Sequence, residues 1–108
     1  MRRGDLVTVA VSGDYGKPRP AVVIQSDWLD ETDSVLVCLL TTTPRDAPLF
    51  RLPVPATPET GLREPSWIMV DKVMAARRTK CGPPIGLIDA DTLAGLSRML
   101  AVIIGLAD

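Results

Sequence analysis

The stretch Lys17-Pro18-Arg19-Pro20-Ala21-Val22-Val23-Ile24 joins a stiff cationic segment to a continuous apolar run. Proline fixes its own φ angle and favours extended geometry in the residue before it, so Arg19 stands on stiff backbone. The apolar run that follows predicts a strand over Pro20 to Gln25, buried on both faces. A cation held at the start of such a strand suits the recognition of an anion, although a solvated arginine would leave the same pattern.

Further strands are predicted on both sides of this stretch, from apolar runs separated by turn residues. They cover Arg3 to Val11, Ser34 to Thr41, Leu49 to Val54 and Ser66 to Met74. Proline cannot donate a hydrogen bond to a neighbouring strand, so Pro53 and Pro55 place the strand from Leu49 at an edge of the sheet. The ten prolines and eight glycines likewise favour short strands and tight turns over a helix bundle.

The C-terminal segment has the periodicity of an amphipathic helix. From Asp89 onward, apolar residues recur at steps of three and four, namely Leu93, Leu96, Leu100 and Ile103. Asp89 or Asp91 is expected as the N-cap, and Gly105 as the stop. The apolar stripe is widened by Met99, Val102 and Ile104. The helix therefore packs either against both its own sheet and a second subunit, or deep within one core.

Composition predicts one small cytoplasmic domain. The 108 residues suffice for a single core, a domain over 1–108, but are few enough to favour self-association. No apolar stretch reaches the ~18 residues of a membrane helix, and no signal-peptide core follows Met1. The chain has no histidine and its two cysteines lack metal-ligand spacing. A Ser-His-Asp triad and a histidine-ligated metal are thereby excluded, and no cofactor is expected.

Charge is unevenly distributed along the chain. The formal net charge of −1 argues against a general nucleic-acid binder, since neutralising phosphates takes clustered Lys and Arg. Acidic residues crowd the polar segment from Gln25 to Ser34. Basic residues form two groups, Arg2, Arg3, Lys17 and Arg19 near the start and Lys72, Arg77, Arg78 and Lys80 after Asp71. Either these groups fold together into one basic face or they are separate solvated turns.

Four motifs in this order resemble the MazF/PemK toxins of bacterial toxin–antitoxin systems. The motifs are Arg3-Gly4-Asp5 leading into a strand, Arg19-Pro20-Ala21-Val22-Val23-Ile24, a strand ending in Thr41, and Pro65-Ser66-Trp67-Ile68-Met69-Val70-Asp71. The resemblance covers roughly residues 2 to 80. It implies an α+β, mainly β fold, a small SH3-like barrel of strongly bent antiparallel strands with a C-terminal helix. The gyrase poison CcdB shares this fold with the PemK toxins.

The resemblance also implies an activity, metal-independent and sequence-specific cleavage of single-stranded RNA to a 2′,3′-cyclic phosphate and a 5′-hydroxyl. Arg19 and Thr41 match the catalytic arginine and threonine of the family, with Thr42 and Thr43 as neighbouring candidates for the second position. The RNA-binding residues expected are Lys17, Tyr15, Asp71, Lys72, Arg77 and Arg78. The family further implies a homodimer, a cognate antitoxin and a single basic face.

Other interpretations stay open at this point. A CcdB-like gyrase poison would bind its target without nuclease activity, and an inactive relative would keep only an interaction surface, although the retained Arg19 and Thr41 weigh against the latter. Taken alone, Thr41 is more simply a strand terminus and Asp71 an exposed strand charge. The remaining singled-out side chains are expected to be packing residues, namely Trp28, Trp67 and Cys38.

Overall fold

One curled antiparallel sheet and one helix make up the described part of the chain, residues 1–11 and 17–107 of this computed structural model. In chain order the elements are β1 (Asp5–Ala10), β2 (Pro18–Val23), β3 (Ser34–Thr41), β4 (Arg51–Val54), β5 (Ser66–Arg77), a 3₁₀ turn (Arg78–Lys80), β6 (Gly86–Leu87) and α1 (Ala90–Ile103). The order of strands across the sheet is β4-β5-β3-β2-β1-β6. The sheet curls into a half-barrel, and α1 packs against β4 and β5. The predicted bent sheet with a C-terminal helix is confirmed.

The strands follow the sequence pattern closely, with differences at their ends. β3 has the predicted bounds, and β4 lies at the edge of the sheet, as its prolines require. β5 continues to Arg77, three residues beyond the predicted end at Met74. β6 was not predicted, because a strand of two residues has no periodicity and depends on its pairing with β1.

Both faces of the sheet carry an apolar core. The first core lies between the sheet and α1, and includes Leu6, Val22, Leu40, Ile68 and Leu96, each at most 2% exposed. The second core lies on the opposite face and consists of Val7, Val9, Ala21, Val23, Val35, Val37 and Ala76. Because successive residues of a strand point to opposite faces, β2 supplies both cores in turn. The prediction that this strand is buried on both faces is confirmed.

β5 changes faces partway along its length. Val73 pairs with Cys38 of β3, and Ile68 pairs with Leu40, so two steps along β3 correspond to five steps along β5. β5 therefore contains three more residues than β3 over this stretch. Because side chains alternate between the two faces of a strand, an odd number of extra residues reverses the face to which the later residues of β5 point. Accordingly, Ile68 belongs to the first core, whereas Ala76 belongs to the second. We call residues 69–72 the crossover segment.

An ion pair joins the crossover segment to β4. The Arg51 guanidinium donates a hydrogen bond to Asp71 Oδ1 at 2.6 Å, and the Arg51 side chain is only 6% exposed. The guanidinium carbon also lies 5.1 Å from the centre of the Phe50 ring. Partial burial raises the pKa of Asp71, but the hydrogen bond and the charge of Arg51 outweigh it, so the net pKa lies below its ordinary value. Asp71 thus neutralises a buried cation.

The helix has the predicted caps. Asp89 is the N-cap, and its carboxylate accepts a hydrogen bond from the Thr92 N–H at 2.7 Å. The helix ends before Gly105, whose φ of +80° is a conformation that glycine adopts at little cost. Leu96 is fully buried. The last turn and the residues after it instead expose a run of large apolar side chains, Val102, Ile103, Ile104 and Leu106.

Trp28 is not a packing residue, contrary to expectation, because it is 94% exposed. It lies in the connection between β2 and β3, whose backbone is held by polar groups. The Gln25 side-chain amide donates to the Leu29 carbonyl and accepts from the Leu36 N–H. These bonds fix the connection without burying the indole. In the described ranges 1–11 and 17–107, no helix is long and apolar enough to span a bilayer.

The ion pair predicts a pH-dependent contribution to stability. Asp71→Asn should lower the free energy of unfolding at pH 7 by about 1–3 kcal/mol, because it leaves a buried guanidinium short of a partner. The folded-state pKa of Asp71 is lowered, so the contribution is present above the ordinary pKa of 3.8 and is lost as the pH falls through the lower folded-state value. Urea unfolding at several pH values measures this. The exposed Asp46→Asn is the control, and a difference that persists undiminished at acid pH would contradict the assignment.

Candidate active site

An open cleft lies where the start of β2, the end of β3 and the approach to β5 meet. Its volume is about 560 Å³. The residues that line it are Lys17, Pro18, Arg19, Pro20, Leu40, Thr41, Thr42, Thr43, Glu64 and Ser66. Leu40 and Ser66 are buried and form its floor, whereas Lys17, Arg19 and Glu64 are exposed at its surface. The cleft is therefore a polar, charged surface above a packed base.

The pairing of β2 with β3 explains why Arg19 and Thr41 share this cleft. The two strands are antiparallel, and the ladder includes Ala21 opposite Leu39 and Val23 opposite Val37. Continuing the same register by two residues brings Arg19 opposite Thr41. Both then point to the same face of the sheet, since residues two apart on a strand share a face. The backbone of Arg19 is held from the other side by pairing with Val9 of β1.

Three threonines end β3, and they differ in their surroundings. Thr41 is half-buried, whereas Thr42 and Thr43 are exposed. Thr41 pairs with Trp67 of β5, and its side-chain oxygen accepts a hydrogen bond from the Thr43 N–H at 3.1 Å. Within residues 1–11 and 17–107 no group accepts the proton of the Thr41 hydroxyl, so this proton can be donated to a ligand. Thr41 is consequently the most firmly positioned hydroxyl of the three.

Two residues that line the cleft, Glu64 and Ser66, were not predicted from the sequence to be site residues. The Ser66 hydroxyl donates to the Glu64 carbonyl at 2.9 Å, which fixes the backbone just before β5. Glu64 lies just before β5, and Ser66 is its first residue. The second residue of β5, Trp67, pairs with Thr41. The end of β3 and the start of β5 must therefore lie together. These two residues could have been assigned to the cleft if the pairing of β3 with β5 had been known.

Asp71 and Lys72 lie elsewhere, in the crossover segment, and do not line the cleft. The Asp71 carboxylate is engaged by Arg51, and the Lys72 ammonium lies 3.9 Å from its second oxygen. The contacts of Asp71 described here are therefore structural. Its expected contact with RNA and that of Lys72 stay predictions.

Arg77 and Arg78 line a separate cavity of about 590 Å³, together with the acidic residues Asp30, Glu31 and Asp33. Arg78 holds the connection between β2 and β3. Its Nε donates to the Thr32 carbonyl, and its Nη2 donates to the Leu29 carbonyl at 3.1 Å. Lys17 and Arg19 of the first basic group and Arg77 and Arg78 of the second thus border different cavities. The contact of Arg77 and Arg78 with RNA stays a prediction. Tyr15, also predicted to bind RNA, lies outside the described residues.

The two thiols do not supply a nucleophile to the cleft. Burial, followed by the nearby Asp71 carboxylate, raises the pKa of Cys38 to about 12. Burial also raises the pKa of Cys81, which is partly offset by Arg78. A thiol is reactive only as thiolate, so both groups are poor nucleophiles at neutral pH. The expectation that Cys38 is a core residue is confirmed by its complete burial.

The arrangement is suited to a phosphodiester. A guanidinium presents planar donors that match two phosphate oxygens, and an ammonium adds a second positive charge at the same opening. Hydroxyl groups beside them donate single hydrogen bonds. Within the cleft these groups are Arg19, Lys17 and Thr41. The cleft therefore has the means to bind a phosphate and to stabilise additional negative charge on it.

The sequence is similar to that of proteins in a known toxin family. The family described as PemK-like, MazF-like toxin of type II toxin-antitoxin system matches residues 2–104. The chain is 43% identical over 108 residues to a probable endoribonuclease MazF of Mycolicibacterium smegmatis, and the match covers 99% of each chain.

Two solved structures show the same fold. One is an endoribonuclease in complex with its cognate antitoxin from a mycobacterial species, with a TM-score of 0.81 and 20% identity, covering 100% of this chain and 98% of that one. The other is the Mycobacterium tuberculosis toxin MazF-mt6, with a TM-score of 0.82 and 22% identity, covering 96% and 99%. At such identities the structures establish the architecture, and the relationship rests on the family match and the mycobacterial relative. The chain therefore belongs to the family of PemK-like, MazF-like toxins of type II toxin–antitoxin systems, as a full-length homologue of a probable MazF endoribonuclease, and the family predicted from its motifs is confirmed.

Proposed function

We propose that this toxin cleaves single-stranded RNA without a metal ion, leaving a 2′,3′-cyclic phosphate and a 5′-hydroxyl. The observation that carries the proposal is that Arg19 and Thr41 line the same open cleft of about 560 Å³. The RNA supplies its own nucleophile, the 2′-hydroxyl, so the protein needs only to align the reacting atoms and stabilise charge. Both tasks suit a rigidly mounted guanidinium and a hydroxyl.

Arg19 and Thr41 have distinct roles in this reaction. The Arg19 guanidinium binds the non-bridging phosphate oxygens and neutralises the charge that accumulates on them in the pentacovalent transition state. It stays protonated and does not act as a base. The Thr41 hydroxyl donates one hydrogen bond to the same oxygens. Lys17, at the opening of the cleft, contacts a neighbouring phosphate of the strand.

A cognate antitoxin is the second partner in this proposal. The mycobacterial endoribonuclease of similar fold was solved with its cognate antitoxin. A partner segment that carries carboxylates and apolar side chains would occupy the cleft by imitating the charge of RNA. Lys17 and Arg19 are the cations it would meet there.

The toxin is further proposed to act as a homodimer. The apolar side chains exposed after the buried part of α1, such as Val102, Ile104 and Leu106, are 46%, 61% and 79% exposed. A second copy would remove them from water. Leu96 belongs to the core of its own subunit and Met99 packs against that core, so these two back the interface rather than form it.

A CcdB-like gyrase poison is the less favoured alternative. Such a protein needs no cation and hydroxyl brought together in a cleft. The homology to a probable endoribonuclease MazF along the whole chain also favours a nuclease.

Cleavage itself is the first expected result. Purified protein incubated with total RNA in EDTA should generate new 5′-ends that share a common neighbouring sequence and carry a 5′-hydroxyl. Arg19→Ala should reduce the rate at least ~100-fold, the usual effect of removing one transition-state donor. Thr41→Val, which removes the hydroxyl and keeps the branched shape of the side chain, should reduce it as well, whereas Thr42→Val and Thr43→Val should not.

The control for this series is Arg98→Ala, which removes an exposed arginine on α1 distant in sequence from the cleft. Circular dichroism establishes that each variant is folded. Near-normal cleavage by a folded Arg19→Ala protein would refute the assigned role, and intact RNA alongside arrested gyrase would favour the alternative function.

Salt dependence tests the role of Lys17. RNA affinity should fall with salt, with a log–log slope of about −0.7 for each phosphate contact on a single strand. Lys17→Gln should weaken binding and reduce the magnitude of the slope by about one such contact. Arg77→Gln, in the other cavity, measures whether that cavity also belongs to the RNA surface. An unchanged slope for Lys17→Gln would remove this residue from the interface.

The oligomeric state is expected to depend on the exposed end of the helix. Wild-type protein at micromolar concentration should have the mass of a dimer by light scattering. Ile104→Asp should yield folded monomers, because a charge cannot be buried without a partner. The control is Ala94→Asp, a charge on an exposed position in the earlier part of α1. A monomeric wild-type protein would refute the proposal outright.

A further inference from the structure

The proposed cleavage lacks one participant, an acceptor for the proton of the 2′-hydroxyl. Ribonucleases commonly use histidine for this step, and this chain contains none. An acceptor must lie within hydrogen-bond reach of the nucleophile, and therefore in the cleft that holds the phosphate. The inference that follows rests on the proposed endoribonuclease activity.

Among the described residues that line the cleft, only one side chain is suited to accept a proton. Arginine and lysine are protonated, so Arg19 and Lys17 have no free lone pair to offer. The hydroxyls of Thr41, Thr42, Thr43 and Ser66 are very weak bases. Glu64 is the single carboxylate among the described residues of the lining. It is exposed and can therefore exchange its proton with water after each turnover.

The backbone places Glu64 firmly rather than on a loose loop. Pro65 follows it and restricts its own φ and the conformation of Glu64. The Ser66 hydroxyl donates to the Glu64 carbonyl at 2.9 Å, and Ser66 itself is 3% exposed. The pairing of Trp67 with Thr41 then fixes this segment against the end of β3. These contacts hold the backbone segments that carry Glu64 and Thr41 side by side.

Glu64 is negatively charged, so its role in the cleft differs from the phosphate binding proposed for Lys17 and Arg19. A carboxylate repels a phosphate oxygen, so Glu64 does not share that phosphate-binding role. A proton donor is the natural partner of a carboxylate, and the 2′-hydroxyl is the proton donor on the ribose next to the scissile phosphate.

We infer that Glu64 is the general base of the reaction. Its carboxylate takes the proton from the 2′-hydroxyl as the 2′-oxygen forms a bond to phosphorus, and the bond between phosphorus and the 5′-oxygen breaks. The departing 5′-oxygen takes a proton from water. Glu64 is left as the neutral acid and returns its proton to solvent, so no proton or electron pair is left over.

The pH dependence of cleavage tests this role. The substrate is a short oligonucleotide with a single ribose at the site mapped with total RNA. Glu64→Gln keeps the shape of the side chain but cannot accept a proton, so kcat should fall at least ~100-fold with little change in KM. The acid limb of the pH–rate profile, which reports a group that must be deprotonated, should disappear. Glu64→Asp should keep that limb at a reduced rate.

A substrate with sulfur in place of the 5′-oxygen separates base from acid. A thiolate leaves without being protonated, so the Glu64→Gln defect should persist on this substrate if Glu64 is the base. Rescue would make Glu64 the acid and overturn the inference. A Glu64→Gln effect confined to KM would make it an RNA-recognition residue and would overturn it equally.

The controls distinguish this inference from the activity on which it rests. Glu59→Gln removes an exposed carboxylate near in sequence but bordering another cavity, and it should cleave with the wild-type profile. If wild-type protein fails to cleave, the proposed function itself fails. If wild-type cleaves while Glu64→Gln retains its rate and its acid limb, only the assignment of the base is wrong.

Discussion

The pairing of β3 with β2 on one side and β5 on the other is the constraint on which the rest of the structure depends. It aligns the start of β2, the end of β3 and the start of β5, and thereby assembles a cleft from segments distant in the sequence. The same ladder supplies rigidity, because β3 lies in the interior of the sheet with apolar side chains in two cores. A cation and a hydroxyl mounted on such a frame need little reorganisation when a phosphate changes charge, which is the condition under which electrostatic stabilisation is most effective.

The charged residues of the described ranges occupy different places in the fold, and these places determine what each side chain meets. Arg51 is buried and neutralised by Asp71, and Arg78 is committed to backbone carbonyls of the connection between β2 and β3. Lys17 and Arg19 lie at the open mouth of the cleft. A formal net charge of −1 is therefore compatible with a local anion-binding surface.

Most of the fold could be predicted from the sequence, because apolar runs and turn residues report local structure directly. β3 and the caps of α1 are examples. The placement of Arg78 could not be predicted, since its partners are carbonyl groups that every residue carries. Glu64 was missed because its position depends on which strands are neighbours, and the resemblance supplied Arg19 and Thr41 without their surroundings. Trp28 was wrongly expected to pack, because aromatic character does not reveal that polar bonds hold its segment.

The reversal of β5 at residues 69–72 has a consequence for how this gene can vary. Substitutions there change one side chain, whereas the loss or gain of a single codon changes the parity of every later residue in the strand. Met74 and Ala76 would then exchange places with their exposed neighbours, Val73, Ala75 and Arg77, and the second core would lose the contribution of β5. Variation in length among descendants of this sequence should accordingly be confined to connections such as residues 43–48, and residues 69–72 should keep a constant number.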